Sequence, residues 1–76
     1  MLARTIKING VYKHFKGHVY KVVCIGKDAD NLEEKVVYQN VLNNEIWIRD
    51  KEEFLSLVDI KKHPDVKQKY RFELMK

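Results

Sequence analysis

The chain has 76 residues, enough for one small domain, and 45% apolar against 34% charged residues excludes wholesale disorder. The formal charge of +4 is segregated: residues 1–27 hold six Lys/Arg and no acid, residues 28–60 hold nine acids against Lys35, Arg49 and Lys51, and residues 61–76 are basic again. The longest apolar run, residues 22–25, is far too short to span a bilayer, and a lone cysteine excludes an internal disulfide.

One Cys and three scattered His offer no ligand-spaced pair, so neither a metal nor a cofactor is expected. The N-terminal "MLARTIKINGVYK" has no apolar h-region, which predicts a cytoplasmic protein without a secretory leader and without membrane attachment. Cys24 lies in an apolar run and reads as a buried, inert thiol. The opposed signs of the first two blocks favour ion pairing between them over a basic face turned to phosphates.

In chain order, "VYKHF" alternates, with Tyr12 and His14 on one face and Val11, Lys13 and Phe15 on the other. Lys16 and Gly17 offer a turn. Residues 19–27, "VYKVVCIGK", are β-branched and aromatic enough for a long strand, with a bend or bulge expected at Gly26. "DADNLEE" reads as a loop over 28–34. A strand over 35–42, a two-residue turn at Asn43 and Asn44, and a strand over 45–49 complete a hairpin.

That hairpin sorts its side chains. If Asn43 and Asn44 form the whole turn, Tyr38 stands opposite Arg49 and Asn40 opposite Trp47. One face then collects Val37, Gln39, Val41, Ile46 and Ile48 and is expected to be mainly core. The other collects Val36, Tyr38, Asn40, Trp47 and Arg49 and is expected to be an aromatic, polar surface. A one-residue slip would exchange the faces.

Beyond it, "DKEEFLSLV" changes period. Asp50 and Glu53 are spaced as a capping box for a two-turn helix, with Phe54, Leu57 and Val58 on one side. Pro64 ends any element before it, and "KYRFELMK" reads as a last strand with Tyr70, Phe72 and Leu74 on one face. About five strands at short spacing with one short helix predict a single, mainly β domain over 1–76, a small, partly open, SH3-like barrel.

The residues "VYKHFKGHVYKVVCIG", "NLEEKVVYQ" and "IWIRD" followed by Phe54 resemble a small bacterial family, domain of unknown function 1653. Its members show Y-x-H-F-K-G-x-x-Y-x-V, then E-T-L-E-x-x-V-V-Y, then W-V-R-P. The resemblance spans about 11–58 and leaves 59–76 as an extension. Asp50 stands where the family has proline, Asp30 and Asn31 stand where it has Glu-Thr, and "VLNN" replaces a glycine-containing turn. It implies a fold unit and a set of shared residues, but no activity.

Of those residues, His14, Lys16, Tyr38, Trp47 and Arg49 form the candidate ligand-binding set. Aromatics beside an arginine can stack a planar group while the guanidinium takes an anion. No catalytic residue is assigned. Ser56 falls in the short helix, Glu33 and Glu34 are adjacent and point apart, and three scattered glycines build no phosphate loop. The expected function is recognition of a planar or anionic small molecule or a peptide. The alternatives are a non-sequence-specific nucleic-acid binder using basic segments 4–27 and 61–76, and an accessory domain that docks on a partner protein.

Overall fold

The computed structural model describes residues 4–75. Five antiparallel strands make one open sheet: β1 (Val11–His14), β2 (Val19–Lys27), β3 (Glu34–Asn40), β4 (Ile46–Asp50) and β5 (Phe72–Leu74), in the order β4-β3-β2-β1-β5. A single helical turn, α1 (Lys51–Phe54), follows β4 directly. The fold is therefore mainly β, a partly open barrel with one short helix.

The first turn forms where the sequence places it. Gly17 takes φ +103°, and the His14 amide donates to the His18 carbonyl at 2.8 Å, which closes the β1–β2 hairpin. β2 occupies the expected residues, but its bulge is at Val23, between the pairs Val22–Tyr38 and Cys24–Val37, and not at Gly26. One extra residue reverses the alternation of side chains. Val22 and Ile25 consequently both face inward, and Cys24 is turned outward and exposed instead of buried.

The β3–β4 hairpin corrects the expected turn. Residues 41–45 form a five-residue loop, in which Asn40 takes the N–H groups of Leu42 and Asn43 on its side-chain oxygen. Tyr38 then pairs with Trp47 and Val36 with Arg49, a register two residues away from the one a two-residue turn would give. A shift of two preserves the membership of each face. What changes is which face is the core. Val36, Tyr38 and Asn40 are buried, whereas Ile46 and Ile48 are exposed, Ile48 by 67%.

The inner face is dominated by rings. Phe54 stacks on Phe72 with centroids 4.1 Å apart and planes 9° from parallel, and Tyr12 and Tyr38 meet Phe54 edge-on at 5.3 and 5.6 Å. The buried hydroxyls find partners: Tyr12 accepts the Lys7 amide N–H at 2.9 Å, and Tyr38 accepts Arg49 Nε–H at 3.2 Å. α1 exists to deliver Phe54. It is shorter than expected, Asp50 makes no side-chain cap and pairs with Lys35 instead, and Leu57 is exposed.

The two edges of the sheet are then joined outside the named strands. Arg71 N–H donates to the Ser56 carbonyl at 2.8 Å and Val58 N–H to the Lys69 carbonyl at 2.9 Å, with Leu57 bridged to Tyr70. Chain leaving α1 thus pairs with chain entering β5, and curls the sheet over its aromatic core.

Replacing Phe72 with Ala should cost about 3–5 kcal/mol in denaturant unfolding, whereas Ile48→Thr should stay within about 0.5 kcal/mol. The reverse ranking would mean that the isoleucine face is the core.

Candidate functional site

The same inner face opens, beyond the rings, into a cavity of about 420 Å³. β1 contributes His14 and the following turn contributes Phe15, Lys16 and His18. β3 and β4 contribute Tyr38, Trp47 and Arg49, and β2 contributes Tyr20. All five sequence-derived candidates, His14, Lys16, Tyr38, Trp47 and Arg49, therefore line one space. Trp47 is neither core nor freely solvated: it faces inward from an edge strand and remains 47% exposed at the cavity mouth.

The far wall comes from the segment between α1 and β5, which supplies Asp59, Lys62, His63 and Arg71. Local hydrogen bonds hold it there. The Asp59 carbonyl accepts the amides of Lys62 and His63, His63 lies 4.8 Å from the Phe15 ring, and the Phe15 amide donates to the Arg71 carbonyl. Sequence reasoning missed Phe15, His18, Tyr20, Asp59, Lys62, His63, Arg71 and Phe72. His18 and Tyr20 had a usable signal, since a tight turn at Gly17 sets them beside His14 and Tyr12. Phe15 had one too, as the neighbour of His14 in the H-F-K-G motif. Asp59, Lys62, His63, Arg71 and Phe72 had none, because only the long-range pairing of 56–58 with 69–71 brings them over the site.

The charges around this cavity are unbalanced. Lys16, Arg49, Lys62 and Arg71 face it against one carboxylate, Asp59. The ion pairs among the described residues join Lys35 to Asp28 and Asp50, Arg49 to Glu53, and Lys51 to Glu34. All lie inside the acidic middle block. The expected pairing between the basic and acidic blocks is thus absent among the described residues, and Lys16, Lys62 and Arg71 enter no ion pair there.

Each arginine is fixed at its inner nitrogen. Arg49 Nε donates to the buried Tyr38 hydroxyl, and Arg71 Nε donates to Ser56 Oγ at 3.2 Å, whose own hydroxyl donates to the Glu53 carbonyl. That leaves both terminal amines of Arg71 without a described partner, while Arg49 spends one on Glu53. His14 sits between them, 4.4 Å from the Phe15 ring and 4.9 Å from Phe72. Burial first, then the positive charges of Arg49, Arg71 and Lys16, pushes its imidazole down to about 4. It is neutral at pH 7, and because Nδ1 accepts the Lys16 amide N–H at 3.1 Å, the proton resides on Nε2.

A second hollow, of about 580 Å³, lies between the 28–34 loop and α1 and is lined largely by carboxylates. Two of these, Asp50 and Glu34, are already matched by Lys35 and Lys51. No group of three or more His, Cys, Asp or Glu side chains among the described residues is placed to hold a metal ion. No helix among them is long and apolar enough to cross a membrane.

The family model described as protein of unknown function (DUF1653) matches residues 10–74. The chain belongs to the DUF1653 family. The match runs past residue 58 and takes in both walls of the cavity and β5. No curated protein and no solved structure matches the chain. The DUF1653 unit is thus defined here by its own geometry: an aromatic core continuing into a cationic cavity.

His14 offers a direct check. Its folded-state value lies below the 6.5 of an unfolded chain, so the unfolded state takes up a proton first as pH falls. The stability His14 contributes is complete above pH 6.5 and is lost as pH falls towards 4. NMR titration should give an imidazole midpoint near 4, and the stability of the natural chain relative to His14→Gln should decline across that interval. A midpoint near 6.5 would show that His14 is neither buried nor set among these cations as described.

Proposed function

We propose that this chain is a small, SH3-like, cytoplasmic recognition module whose cavity binds a planar, anionic small molecule. What supports this reading is the convergence of Arg49, Arg71, Lys16 and Lys62 on a space walled by aromatic rings, with Asp59 as the one acid lining it among the described residues. Arg49 has Glu53 beside it, but Lys16, Lys62 and Arg71 enter no ion pair among the described residues, and like charges so gathered repel one another until an anion relieves them. Trp47 supplies a ring at the mouth on which a flat group can stack.

Catalysis has less support. The buried imidazole is neutral across the physiological range, and among the described residues no serine, threonine or cysteine lines the cavity with it. A nucleic-acid backbone would draw on the same cations, but it would also have to pass the acidic residues of the 28–60 block that flank the hairpin.

An amide-resolved NMR titration with benzoate and adenosine 5′-monophosphate tests the reading. Shifts should cluster at residues 14–20, Tyr38, Trp47, Arg49 and Arg71 and survive added salt. Trp47→Ala should abolish them while costing less than about 1.5 kcal/mol, because half of the side chain is already in water. Arg49→Lys, which keeps the charge and loses the fork, should weaken binding by about tenfold. Unfolding of Trp47→Ala would assign that residue to the core, and unchanged affinity in Arg49→Lys would remove the arginine from the site.

A further inference from the structure

Resting on the cavity reading above, we propose that the anion is a dianionic phosphomonoester carried on a flat heterocycle, a mononucleotide-like small molecule. Charge count points to the class. Of the four cations around the cavity, Arg49 shares its charge with the exposed Glu53, and Asp59 faces the other three. The Asp59 carboxylate is also occupied locally, accepting the Lys61 amide N–H at 3.0 Å. A monocarboxylate would leave this field largely uncompensated. A phosphomonoester brings close to two negative charges at neutral pH and three acceptor oxygens.

Donor geometry agrees with the count. The two guanidinium groups approach from different parts of the fold, Arg49 from β4 and Arg71 from the residue before β5. Their Nε atoms are tied to Tyr38 and Ser56, so the terminal amines are held in place before any ligand arrives. Planar forks of this kind match phosphoryl oxygens in pairs, which a lone ammonium cannot do. His14, with Nδ1 engaged by the Lys16 amide, has only Nε2–H to offer, a neutral donor that adds no further charge.

The rest of the cavity sets the size and shape of what carries the phosphoryl group. A volume of about 420 Å³ suits a small ligand and not an extended chain. Trp47 takes part in none of the ring pairs that build the core, so its face is available to a heterocycle. Phe15 and His63, tilted 54° to each other, add further ring surface to the lining.

Calorimetry on the full chain should compare adenosine 5′-monophosphate with 3′,5′-cyclic AMP, adenosine, benzoate, inorganic phosphate and a short single-stranded oligonucleotide. The monophosphate should bind about tenfold tighter than the singly charged cyclic form and about a hundredfold tighter than adenosine or phosphate alone. Lys62→Gln, on an exposed loop, should lose about threefold to tenfold in affinity without any fall in melting temperature. Equal affinity for the monophosphate and its cyclic form would overturn the dianion. Benzoate binding as tightly as the monophosphate would overturn the phosphoryl class and leave the anion-binding cavity standing. No binding by either, or steeply salt-dependent binding of the oligonucleotide alone, would overturn both readings.

Discussion

The stack of Phe54 on Phe72 is the contact on which the rest depends. A sheet ordered β4-β3-β2-β1-β5 has two free edges, and these rings come from the residues just after one edge and at the start of the other. Bringing them to 4.1 Å curls the sheet, buries Tyr12, Tyr38, Val22 and Val36 beneath it, and draws 56–58 against 69–71. Without that closure the cavity would lose its far wall, Asp59, Lys62, His63 and Arg71, and with it two of its four cations. Core and site are therefore one construction, and the aromatic rings that close the barrel are continuous with those that wall the cavity.

The charge arrangement sharpens the point. The acidic block compensates its own cations in Lys35, Lys51 and Arg49, and leaves the basic residues on either side of it uncompensated among the described residues. Four cations around one small space, of which Arg49 is paired, repel one another and oppose folding. In a chain of this length the core has little stability to spare. Cations gathered around one cavity, and not scattered over a solvated sheet, weaken a small fold in this way and are a mark of a site.

Much of this was legible in the sequence, and the misreadings have physical reasons. The mainly β architecture, β2 to the residue and the five candidate residues follow from alternation, from Gly17 and from the motif set. The two hairpin faces were sorted correctly because a register error of two leaves side-chain parity intact. Their roles are exchanged because isoleucine is the more apolar side chain, whereas this core is built on Tyr and Phe rings and satisfies its hydroxyls with Arg49 and the Lys7 amide. Cys24 was misplaced by the bulge at Val23, one residue that no glycine announces. The far wall of the cavity was illegible for a different reason: Asp59, Lys62, His63 and Arg71 reach it only through contacts distant in sequence.

The central claim is that Trp47 stands at the mouth of a cationic cavity, and Trp47 is the chain's one tryptophan. Fluorescence quenching by iodide and by caesium, at fixed ionic strength and normalised to a free tryptophan amide, reads the local potential without any knowledge of the ligand. Iodide should be favoured over caesium by about twofold or more, and Arg71→Gln with Lys62→Gln should remove most of the preference. Equal quenching by the two ions, or a preference for caesium, would contradict that claim.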